Sequence, residues 1–123
     1  MDARKEYINM CVRATEIQGA ITSFSGGDFY FTAQEGTTTA DSCGDPKSDG
    51  DIWLPRQDQL QGMVGENNTT RELMRVFSAW FKAFLDSPPK WFNNSTTLER
   101  LWIAFVMKER FNKEWDGEDW IKK

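Results

Sequence analysis

Histidine is absent from this chain, and cysteine occurs only twice, at Cys11 and Cys43. Without an imidazole, Ser-His-Asp and Cys-His nucleophile constellations cannot form, and neither can the usual zinc ligand sets. Positive charge is sparse as well. The net charge is −4, and no run of Lys or Arg exceeds two residues. Binding to phosphate backbones needs clustered cations, as does attraction to an anionic bilayer, so neither nucleic acid nor membrane is expected as a partner. No uncharged apolar run approaches the ~20 residues that span a bilayer. The opening "MDARKEYINM" lacks a basic stretch followed by an apolar core, so no secretory leader is expected. These absences predict a cytoplasmic protein in which the two thiols stay free rather than pair.

Phosphate-binding and metal-binding loops fail on individual residues. "SGGD" at 25–28 has neither the lysine nor the following helix of a phosphate-cradling loop. "DPKSDGDIWLPR" at 45–56 places Asp45, Asp49 and Gly50 as a calcium loop would, but Lys47 and Arg56 stand at the third and twelfth positions, where oxygens belong. A loop begun at Asn112 ends on Lys123 instead of a bidentate Glu. Glycosidase-type chemistry needs two carboxyls across a cleft with one desolvated. Asp116, Glu118 and Asp119 crowd a turn instead. No metal, cofactor or catalytic residue is predicted. Four N-x-S/T sites, at Asn67, Asn68, Asn93 and Asn94, lie just before helices, where Asn, Ser and Thr serve as caps.

Aromatic residues are what the chain has in quantity: nine Phe, six Trp and two Tyr in 123 residues. Each buries roughly 150–250 Å², so a few organise a small core. Tyr7, Met10, Ala14, Ile17, Ile21 and Phe24 recur at three- and four-residue steps, which predicts an amphipathic helix over 2–24. "DFYFT" at 28–32 has the composition of a short strand. The segment 34–50, "QEGTTTADSCGDPKSDG", has almost nothing to bury and reads as a mobile loop. Pro55 opens a short helix ending near Gly65. Thr69 with Glu72 caps the next, whose Leu73, Val76, Phe77, Trp80, Phe81 and Phe84 form an apolar face until Pro88-Pro89 stops it. Thr96 with Glu99 caps a last helix that is apolar nearly all round, with Asn112 as a left-handed stop.

The closing "KEWDGEDWIKK" at 113–123 reads as a β-hairpin on a two-residue Asp116-Gly117 turn, with Trp115 opposite Glu118 and Lys113 opposite Trp120. The fold class expected is therefore mainly α. It is a single domain over 1–123: a bundle of about four helices, a C-terminal hairpin and a short strand near 28–32, with 51–123 as its aromatic-rich body.

"WLPRQDQLQ" at 53–61 and "LWIAFVMKERFNKEWDGEDWI" at 101–121 carry a resemblance. Together they resemble small bacterial and prophage-borne proteins with a Trp-Leu-Pro-x-Gln opening before a short helix and a C-terminal helix followed by Trp-x-Gly-x-x-Trp. The resemblance covers about the last 70 residues and implies a bacterial or phage origin. No activity is known for such proteins, so it assigns no site residue.

The function expected is that of a small non-enzymatic accessory protein acting through protein–protein contacts. Trp91 and Phe92, in the "SPPKWFNN" loop, are the candidate interaction surface, because loops run over surfaces and Trp is enriched at binding hot spots. Folding back of both rings onto the helices is the competing reading. Two alternatives stand beside this function. One is a homodimer formed through the stripe on the first helix. The other is a small-ligand binder or enzyme with a Trp/Phe pocket, given polarity by an acid such as Glu109 or Asp86.

Overall fold

An eight-residue stretch, Arg100 to Met107, is buried at every position. A helix apolar on all sides can satisfy that pattern only at the centre of its unit. The computed structural model describes residues 2–21, 23–40, 45–47, 50–65 and 69–122, and these fall into two compact units, Met1–Arg56 and Gln57–Lys123. The expectation of a mainly α bundle is corrected: the fold is mixed α/β, with five helices, a three-stranded antiparallel sheet and two short two-stranded ladders among the described residues.

In the first unit, helices α1 (Lys5–Arg13) and α2 (Thr15–Gln18) replace the single helix expected over 2–24. Ala14 leaves the helical region, with ψ at 71°. The break allows Gln18 to bond across the sequence. Its Nε2 donates to the Trp53 carbonyl at 2.8 Å, and its Oε1 accepts from the Trp53 amide at 2.9 Å. Strands β1 (Ser23–Phe24), β2 (Phe29–Thr32), β3 (Gly36–Thr39), β4 (Asp45–Pro46) and β5 (Ile52–Leu54) follow. The sheet order is β3-β2-β5, and β1 pairs with β4. The aromatic strand foreseen near 28–32 is β2. Two more strands, β3 and β4, lie within the segment read as a loop.

Their pairing rests on backbone hydrogen bonds and on Gly36, whose φ of 72° closes the β2–β3 turn, rather than on apolar alternation. Tyr7, Met10, Cys11, Ala14 and Ile17 are buried with Trp53 and Leu54, and Tyr7 Oη donates to the Pro55 carbonyl. Phe24 stacks on Tyr30 at 4.6 Å.

The second unit holds α3 (Gln57–Gly65), α4 (Thr70–Asp86), α5 (Leu98–Phe111) and the hairpin β6 (Lys113–Trp115) with β7 (Trp120–Lys122). Thr69 Oγ1 caps α4 by accepting from the Glu72 amide, while the Glu72 carboxylate is taken by Arg75. That hydrogen bond holds the Glu72 carboxyl below its ordinary range. Helix α5 starts one residue later than expected, because Thr97 is its cap and Thr96 closes the preceding turn on Asn93. Asn112 ends the helix at φ 55°, ψ 43°, the left-handed stop foreseen. Leu60 of α3 is fully buried, and Phe77 of α4 stacks on Trp102 of α5 with centroids 4.0 Å apart.

The hairpin forms, but with a different turn. Asp116 Oδ1 accepts from the amides of Glu118 and Asp119, at 2.7 and 2.8 Å, and the Asp116 amide donates to the Asp119 carbonyl. The carboxylate thus organises a four-residue loop with Gly117 at φ 106°. Trp115 then faces Trp120 directly, with ring centroids 5.0 Å apart.

The same two amides hold the Asp116 carboxyl below its ordinary 3.8, that of Asp119 contributing most. A depressed folded pKa means that the turn is fully supported above the ordinary value and weakens as pH falls through the lower folded one. An NMR titration should show the Glu118 and Asp119 amide shifts moving together with a midpoint under 3.8. An ordinary midpoint would contradict this account of the turn.

Candidate functional site

A recess of about 300 Å³ opens on the second unit, bounded by the C-terminal half of α4, the 87–91 loop, α5 and β6. Trp80 and Phe84 stand four residues apart, so one face of α4 presents both, at 5.1 Å and a 34° tilt. Trp91 adds the next wall, 5.7 Å from Phe84 at 60°. Its Nε1 donates to the Trp115 carbonyl at 3.0 Å, which pins the loop to the first strand of the hairpin. Trp115 and Pro89 complete the apolar lining, and the small side chains of Ala83 and Ala104 leave the volume open.

Polarity enters at one side. The left-handed turn at Asn112 reverses the chain and brings Glu114 back to Lys108, with Nζ 3.3 Å from Oε2. Both groups are part-exposed, so the pair is worth no more than about 1 kcal/mol to stability. Its effect on the site is to leave that edge polar and charge-balanced. Ser87 lies in the lining too, with no hydrogen-bond partner for its hydroxyl among the described residues. The recess is suited to holding an apolar group, with polar contacts at its edge.

Trp91 lines this recess and is half-buried. Phe92 does not line it; the ring packs edge-on against Phe84 at 5.1 Å and Phe81 at 6.2 Å. Glu109 and Asp86, the acids considered for an aromatic pocket, are exposed and outside the lining. Lys108, Glu114 and Ser87 stand there instead, and no sequence motif marks them. The stripe offered for self-association is largely covered within its own unit, since Tyr7, Met10, Ala14 and Ile17 are all buried.

Cys11 is a free, fully buried thiol. Burial pushes its pKa up, opposite to the shift that makes a reactive thiolate. Cys43, Asp49, Asn67 and Asn68 fall outside the described residues. Among those that are described, no three acidic or thiol side chains are grouped to hold a metal ion, and no helix is long and apolar enough to cross a membrane. Compared with known proteins, the chain matches no family model, no curated protein and no solved structure.

Proposed function

We propose that this chain is a non-enzymatic binding protein whose second unit takes a large apolar side chain of a protein partner into the recess between Trp80, Phe84, Trp91 and Trp115. The observation carrying the reading is that aromatic recess, already open and braced by the Trp91–Trp115 hydrogen bond. Binding energy concentrates where aromatic side chains form a well-packed pocket, and a preformed wall loses little entropy on binding. At about 300 Å³ the recess lies at the lower end of ligand pockets, which suits one inserted side chain better than a cofactor. Leu85, 47% exposed, and half-buried Phe92 extend the apolar surface of the same unit. A cytoplasmic location belongs to the same proposal, supported by the free Cys11 thiol. A prophage origin rests on the two sequence motifs alone.

Selection of phage-displayed random peptides against the protein tests this reading. Enriched peptides should share one large apolar residue. Ala83→Phe, which fills the recess from an exposed helical position, should weaken them about 30-fold or more. Its melting point should move little, as for most surface changes. A selection that enriches nothing, or peptides that bind Ala83→Phe as well as wild type, would end the proposal.

A further inference from the structure

An apolar stripe runs along the outside of α4. Of the 17 residues in that helix, Phe77 alone is buried. Met74 and Leu85 are 46% and 47% exposed, and Phe81 between them is half-buried. With Ser78 they follow one another at steps of four, three and four residues, the spacing of a coiled-coil seam. These positions share one face over about 16 Å of helix. None of them lines the recess, whose α4 walls are Trp80, Ala83 and Phe84. The stripe is a separate surface, and its occupant need not be that of the recess.

The charges beside the stripe select that occupant. On one side the helix turns inward, where Phe77 stacks on Trp102 and Phe84 lines the recess. On the open side the residues next to the stripe are Arg71, Arg75 and Lys82, all exposed. Arg75 is engaged by Glu72, whereas Arg71 and Lys82 have no partner among the described residues. The acids Glu72 and Asp86 stand further round the helix than these cations.

We infer that the stripe docks an acidic amphipathic helix of a partner protein, apolar along its contact ridge and carrying Glu or Asp beside it. Charges that flank a helical seam set the choice of partner. A second copy of α4 does not fit. Antiparallel pairing centred on Ser78 and Ala79 would set Arg75 against Lys82 of the other copy. Parallel pairing would run each open flank into the aromatic flank already packed within its own unit. The chain's net charge of −4 does not oppose an acidic partner, because exposed charges beyond about 8 Å are largely screened at physiological ionic strength.

Titration of the full-length protein with two fluorescent three-heptad peptides tests the inference. Both carry Leu at the seam positions; one has Glu and the other Lys at every flanking position. Like charges keep each peptide from pairing with itself. The Glu peptide should bind saturably, and the Lys peptide about tenfold more weakly or not at all. Arg71→Glu combined with Lys82→Glu should reverse that order. Met74→Ser combined with Leu85→Ser should remove binding of the Glu peptide while melting changes little, since both side chains are nearly half exposed. Ala83→Phe should leave that binding unchanged.

The inference is overturned if neither peptide binds, if both bind alike, or if the paired charge reversal leaves their order intact. Loss of Glu-peptide binding in Ala83→Phe would move the peptide to the recess and overturn it too. So would a dimer, seen by sedimentation, that the paired serine variant dissolves, because a second copy would then occupy the stripe. The recess reading is tested separately, by random peptides that Ala83→Phe excludes.

Discussion

Trp102→Ala should destabilise the second unit by about 3–5 kcal/mol, among the largest effects any single truncation here can have. Trp102 is 2% exposed, stacks on Phe77 at 4.0 Å and meets Phe105 edge-on at 5.6 Å. Phe77 in turn touches Trp80, Phe81 and Phe105, so one indole joins α5 to the aromatic face of α4. Removing it forfeits both the transfer energy of the ring and the contacts of its neighbours, which cannot close over so large a void. Total stabilities of single domains run about 5–15 kcal/mol, so the loss is a large share of the whole. A urea midpoint lowered by at least ~1 M, followed through helical circular dichroism, is the expected reading. Leu98→Ala on the same helix is the contrast. Leu98 is 52% exposed, and its truncation should stay within about 0.5 kcal/mol. Equal effects at the two positions would mean that α5 is not the buried axis of its unit.

The centrality of α5 was legible because every cue in its sequence agrees: Ser/Thr caps before it, apolar residues on all its faces and Asn112 after it. The break between α1 and α2 was not legible. Tyr7, Met10, Ala14 and Ile17 keep their three- and four-residue steps across Ala14, so periodicity does not register the kink. The mainly α expectation failed at strands too short or too polar to carry a period of two. Gly36–Thr39 has no apolar residue and pairs with β2 through its backbone, and Asp45–Pro46 is only two residues long.

At the candidate site the aromatic walls were partly visible. Trp91 stood out as a loop residue, whereas Trp80 and Phe84 read as core and proved half-buried. Lys108 and Glu114 are six residues apart on different elements. Only the reversal at Asn112 makes them neighbours, and single-sequence pattern reading does not measure such distances. The hairpin register missed for a similar reason. Asp116-Gly117 is a strong two-residue turn signal, but the Asp116 carboxylate prefers the two amides that follow it.

Gln18→Leu should cost the first unit about 2–5 kcal/mol, although it preserves size and adds apolar surface. Gln18 and Trp53 are 9% and 5% exposed, and the carboxamide satisfies both backbone groups of Trp53 on one edge of β5. It does there what a neighbouring strand would do. A leucine leaves a buried N–H and a buried C=O without partners, each costing about 1–3 kcal/mol. Gln18→Glu makes the assignment specific to this bond pair. Its carboxyl can accept from the Trp53 amide in either protonation state, but it can donate to the Trp53 carbonyl only when protonated. Burial and that hydrogen bond therefore raise its folded pKa above the ordinary ~4.3 of glutamate. Below that value the proton is present in folded and unfolded chains alike, and the variant should approach wild type. As pH rises beyond it, the unfolded chain ionises freely while the native state must hold the proton, so the stability deficit relative to wild type grows. The deficit of Gln18→Leu should stay flat over the same range. Chemical denaturation of the three proteins at pH 4 and pH 7 provides the comparison. If Gln18→Glu shows the same deficit at both, the side chain of Gln18 does not complete the β5 edge.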